Sequence, residues 1–173
     1  MDPIPKQAIL HYRSTLQYYL LTTRFNNSTW QENQLFCKRK EYPCAYCTPC
    51  PISASIKKES VMFVLEMNND MNRIIGIGML RNIPRKGNVV YEEGNYNRFS
   101  YVGKNRIDRS QLDTREEALM ILLDEKCFKG KGHLKRGQGL TLFPMSVLYR
   151  FENEKENPIQ IITQIVEMFK KRK

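Results

Sequence analysis

Only two of the 173 residues are histidine and only one is tryptophan. No His-Glu-x-x-His pair, no Gly-x-Ser-x-Gly elbow and no Gly-Lys-Ser/Thr phosphate loop occurs, and each of these would mark a reaction class. Those absences point away from an enzyme. No apolar run reaches the ~20 residues needed to span a bilayer. The opening stretch, with Pro3 and Pro5 ahead of Gln7, lacks the regions of a secretory signal. The expectation is an intracellular protein, in cytoplasm or nucleus, without membrane insertion. Its five cysteines are then thiols or metal ligands rather than disulfides.

Positive charge is abundant. Twenty-eight Lys and Arg against eighteen Asp and Glu give a formal net charge of +10, and the cations come in clusters. Such a surface attracts polyanions, which points to nucleic acid, RNA or DNA. The chain also has the 41% hydrophobic content of a protein with a packed interior.

Periodicity gives an α+β class. Residues 17–23 are aromatic and β-prone, and Asn26, Asn27 and Ser28 read as a turn and cap ahead of a helix over 29–40. Residues 42–52, with Pro43, Pro49 and Pro51, read as an irregular loop. Residues 61–67 and 73–80 form a β-hairpin around Asn68, Asn69 and Asp70. Shorter strands are expected at 89–91, 99–102 and 140–144. Asp113 and Thr114 cap a helix, with Thr114 and Glu117 spaced as a capping box. Ile159, Ile161, Ile162, Ile165, Val166 and Phe169 make an apolar stripe at helical spacing. The expected organisation is one basic domain over 1–157, with a C-terminal amphipathic helix over 158–173 packed on it.

The strand ending near Arg24, the helix start at Asn27 and Ser28, the strand at 61–65 and the glycine-bearing strand at 74–79 together resemble the PUA-like superfamily. The likeness is to its EVE and YTH branch, over residues 15–80. It implies a small curved or barrel-like mixed β-sheet flanked by helices. It also implies RNA or DNA binding, with a modified base held in a pocket between the first helix and the sheet. The YTH type uses a cage of aromatic residues, mostly tryptophan. This chain departs from that pattern in having Trp30 as its one tryptophan, and Tyr42, Tyr46 and Phe25 either complete a pocket with it or belong to the core.

Cys37, Cys44, Cys47 and Cys50 are close in sequence, the last three as C-x2-C-x2-C. They are zinc ligands, iron–sulfur ligands or ordinary loop thiols. Pro43-Cys44-Ala45-Tyr46-Cys47 also matches half of a zinc nucleobase-deaminase signature. The catalytic His-x-Glu half is missing, because His11 is followed by Tyr12 and Arg13. Gly76-Ile77-Gly78 lacks a third glycine and a following helix, so it reads as glycines that ease strand curvature or allow a close backbone approach rather than as a dinucleotide fingerprint.

Residues 129–139 combine four cations with four glycines, a loop suited to approach phosphates. Expected nucleic-acid contacts are Arg24, Trp30, Lys38, Arg39, Lys40, Arg81, Arg85, Lys86, Lys129, Lys131, Lys135 and Arg136. The competing reading is a structural or interaction protein of a larger assembly whose basic face meets an acidic partner.

Overall fold

The computed structural model describes residues 3–173, so Met1 and Asp2 of the polar opening stretch lie outside it. The elements are α1 (Lys6–Thr15), β1 (Tyr19–Phe25), α2 (Asn27–Lys40), β2 (Cys44–Thr48), β3 (Val61–Asn68) and β4 (Arg73–Arg81). They continue with β5 (Phe99–Asp108), α3 (Thr114–Phe128), β6 (Thr141–Leu142), α4 (Met145–Glu152) and α5 (Ile161–Lys170). Among the described residues, five helices surround a six-stranded sheet of order β2-β5-β4-β3-β1-β6, curled into a half-barrel. β1 and β3 pair in parallel, and every other pairing is antiparallel. The edge strands approach at one end, where Gly139, just before β6, lies against Thr48 of β2. No helix among these residues is long and apolar enough to cross a membrane.

Alternation along the strands separates two cores. Leu20, Phe63, Leu65, Ile77 and Ile107 face one side, where α1, α3, α4 and α5 cover them. Phe63 and Phe169 of α5 bring their rings to 5.3 Å between centroids. Leu21, Met62, Val64, Tyr46 and Tyr101 face the other side, with Phe36 and Cys37 of α2. α2 starts where its sequence dictates: Asn26 Oδ1 accepts from the Thr29 amide at 2.8 Å, and Thr29 Oγ1 accepts from the Asn26 amide at 3.0 Å. Such a cap contributes about 1 kcal/mol.

The β3–β4 hairpin lies where the sequence places it. Several expectations need correction. Residues 42–52 contain strand β2, because Pro43 and Pro49 bracket the ladder instead of interrupting it. Residues 89–91 form no strand: the Val90 and Tyr91 amides donate to Asn97 Oδ1 and so miss a ladder. The capping box of α3 is Asp113 with Glu116, one position earlier than Thr114 with Glu117. α1 and α4 are additional helices. The basic chain end is pinned, with Arg172 Nη2 donating to Glu116 at 2.6 Å and Lys171 pairing with Asp113.

Candidate functional site

A cavity of about 300 Å³ opens where β1 ends, α2 begins and the glycine-rich segment crosses. Thr23, Arg24 and Phe25 supply one wall, and Asn26, Thr29 and Glu32 bring the capped first turns of α2. Tyr91, Tyr96 and Cys47 close the side opposite, with Lys135 and Gln138 at the glycine-rich rim.

Arg24 organises this rim. Its guanidinium donates to the Leu134 and Gly139 carbonyls and to Thr22 Oγ1 and Thr141 Oγ1, the last two at 2.9 Å. A Cβ at Gly137 would collide with that guanidinium, so the chain passes flat over Arg24 only because residue 137 is glycine. Burial pulls the Arg24 pKa down from its ordinary value. No carboxylate among the described residues pairs with it. Asn69 donates to the Lys135 carbonyl at 3.0 Å, which fixes its amide orientation and leaves Oδ1 buried without a partner among these residues. The Cys47 thiol in the wall is held neutral by burial, its pKa pushed up to about 12.

Charge inside the cavity balances: Arg24 and Lys135 stand with Glu32 and Glu93. Aromatic faces with donors and acceptors of both kinds, and no net charge, suit a flat neutral heterocycle better than a free anion.

Trp30 does not line this cavity. Its half-buried indole meets Phe25 edge-on, 5.0 Å between centroids, and lies 5.1 Å from the Arg106 guanidinium. It borders a separate hollow of about 270 Å³ with Cys37, Lys38, Cys44, Glu66 and Arg106. There a wholly buried Glu66 accepts from Tyr46 Oη at 2.7 Å and from Arg106 Nη2 at 2.7 Å. Burial alone would lower the Arg106 pKa, but the Glu66 carboxylate outweighs it and holds Arg106 protonated. Gly76 and Gly78 leave the room this cluster fills, since a Cβ on either would strike Arg106 and Glu66 or Tyr46. What lies against these glycines is side chains, not the close backbone approach expected from the sequence.

The remaining expected contacts fall in separate places. Arg24 and Lys135 are at the cavity, while Lys38, Arg39 and Lys40 are exposed at the end of α2. Arg81 is exposed at the end of β4 and Arg85 and Lys86 are exposed just beyond it, Lys86 lying 6.0 Å from the Phe99 ring. Lys129 is tied to Glu125 at 2.7 Å, and Lys131 and Arg136 stay exposed. Of the four clustered cysteines, Cys37, Cys44 and Cys47 are buried and Cys50 is exposed. Cys44 borders the hollow beside Trp30, whereas Cys47 stands in the wall of the first cavity. Among the described residues, no three side chains of His, Cys, Asp or Glu gather as a metal would need.

Tyr91, Tyr96, Asn69, Glu32 and Glu93 were not singled out by sequence. They come from three distant segments, and only the closely spaced Tyr91 and Tyr96 offered a local signal. Comparison with protein-family models, curated proteins and solved structures gives no match.

Proposed function

We propose that this is a nucleic-acid-binding module that takes one extruded base into the cavity between β1, α2 and the glycine-rich segment. The reading draws on the strand–helix–hairpin order that resembles the PUA-like superfamily, and on the charge of +10. The observation that carries it is the cavity itself: Tyr91 and Tyr96 beside an Arg24 guanidinium with no carboxylate pair among the described residues. Aromatic rings offer stacking that is tolerant of base identity, and the polar rim offers hydrogen bonds to a base edge.

Titration of single-stranded RNA and DNA at low salt tests this, with Tyr96→Ala as the pocket variant. Tyr96 is only half-buried, so the fold should survive its loss. Stacking is worth ~1–3 kcal/mol per base, so affinity should drop about tenfold with an unchanged melting temperature. The same oligonucleotides carrying methylated bases test whether a modified base is preferred. Equal affinity of Tyr96→Ala and the parent chain removes the cavity from the reading. Absence of binding to either nucleic acid removes the reading and leaves the basic face to an acidic protein.

A further inference from the structure

At the other end of β3 and β4 lies a second depression, of about 520 Å³, lined by Val61, Met79, Val102, Ile83, Arg81, Arg85, Lys104 and Asn105. Pairing explains where it is. Val61 stands opposite Arg81, and Met79 opposite both Phe63 and Asn105, so Val61 and Met79 continue the sheet face on which Phe63, Leu65 and Ile77 are covered by helices. The helices stop short of this corner. Met79, Val61 and Val102 therefore remain only half-buried, and Ile83 on the rim is 48% exposed. The ladder breaks between Met79 and Leu80, and Lys104 falls in that irregularity, exposed at the rim.

The charge here is one-sided. Arg81, Arg85 and Lys104 line the trough, no carboxylate does, and among the described residues none of the three forms an ion pair. The Arg81 guanidinium donates to the Glu59 carbonyl at 3.0 Å, which leaves its charge without a carboxylate among the described residues. This is the reverse of the first cavity, where cations and carboxylates balance. Three cations around an apolar floor match a chain of alternating phosphates and apolar sugar and base surfaces. An isolated phosphate would leave the floor unused, and a neutral ligand would leave the cations unused.

We infer that this trough holds the backbone of a single-stranded segment flanking the base in the cavity, as a second, sequence-independent site. The inference rests on nucleic acid being the partner, and it adds Lys104 to the contacts. β3 has eight residues, so at about 3.3 Å each it separates the two sites by roughly 25 Å. One extended strand has to run along the molecule to reach both.

The probe is a thymidine homopolymer longer than the ~4–16 nucleotides that such sites cover. Binding is measured across a salt series for the parent chain, for Arg81→Gln/Arg85→Gln/Lys104→Gln and for Tyr96→Ala. Each lost phosphate contact on a single strand removes ~0.7 from the slope of log K against log salt, so the triple variant should lose about 2. Tyr96→Ala should lower affinity with its slope unchanged. Arg85→Gln/Lys104→Gln repeats the test without touching the Arg81 hydrogen bond, in case the triple variant misfolds. An unchanged slope in both trough variants overturns the inference. If the cavity reading fails and the trough stands, Tyr96→Ala binds like the parent while the trough variants still lose slope. Polyglutamate binding as tightly as the homopolymer, with equal loss in the trough variants, assigns the trough to an acidic protein and overturns it too.

Discussion

The Trp30 indole covers Arg106, whose guanidinium lies 5.1 Å from the ring and is itself clamped on the buried Glu66 carboxylate. A largely buried cation held by Glu66 on one side and by Asp108 at 3.0 Å on the other gains from an aromatic face that keeps water away. The single tryptophan therefore supports a buried ion pair instead of lining the candidate base cavity.

Trp30→Ala should accordingly lower stability. A buried aromatic ring costs ~3–5 kcal/mol on truncation, and this half-buried one should cost about 2. Denaturant unfolding measures that loss, while oligonucleotide affinity of the folded protein should move by less than about twofold. A tenfold loss of affinity at unchanged stability would return Trp30 to the binding surface.

Acid should loosen the chain end. Asp113, under Lys171 and at the cap of α3, has its pKa lowered to about 2 from an ordinary 3.8, and Glu116 beside Arg172 is lowered as well. Because both folded-state values lie below the unfolded ones, their contribution is complete above about pH 5 and fades as pH falls toward 2. Lys171→Ala/Arg172→Ala should be less stable than the parent at neutral pH, and the gap should close near pH 2. A gap that stays constant across that range would show that the ion pairs are not its source.

Thiol chemistry should divide the cysteines. Burial pushes Cys44, Cys47 and Cys127 up to about 12 and Cys37 up to about 11, so all four are protonated and shielded at neutral pH. Alkylation of the native protein should label exposed Cys50 alone, and all five after unfolding. Chelator should change neither the labelling pattern nor the melting temperature. Release of zinc, with new labelling at Cys44 and Cys47, would show that the clustered thiols come together around an ion.

How far the sequence could be read depended on where each signal lies. The β3–β4 hairpin is legible because both strands are continuous apolar runs around Asn68 and Asn69, and α2 because Asn26 caps it. α1 escapes notice because only Tyr12 on it is buried and Pro5 offers no side-chain cap. β2 is hidden by prolines that flank it. The cavity was out of reach for a different reason: Phe25, Asn69, Tyr91 and Gln138 meet only once the two sheet edges curl together. The glycine-rich segment stood out through its composition. What composition did not reveal is that its carbonyls are spent on Arg24, leaving Lys131 and Arg136 to reach outward.

That attachment gives the last prediction. The segment is held to β1 by Arg24, and Gly137 is where the backbone lies on the guanidinium. Adding a methyl there forces either the chain or a side chain with several hydrogen bonds to move, and overpacking of this kind costs ~1–3 kcal/mol. Gly137→Ala should therefore speed proteolysis within residues 129–139 and weaken oligonucleotide binding. Arg24→Ala should do the same by releasing the Leu134 and Gly139 carbonyls. If the collision is with Arg24, the two losses share one contact and will not add: Gly137→Ala should cost almost nothing on the Arg24→Ala background. A double-mutant cycle read by denaturant unfolding and by proteolysis decides this. Full additivity would mean that Gly137 is needed for its backbone alone, and the attachment of the segment would then have to be sought away from Arg24.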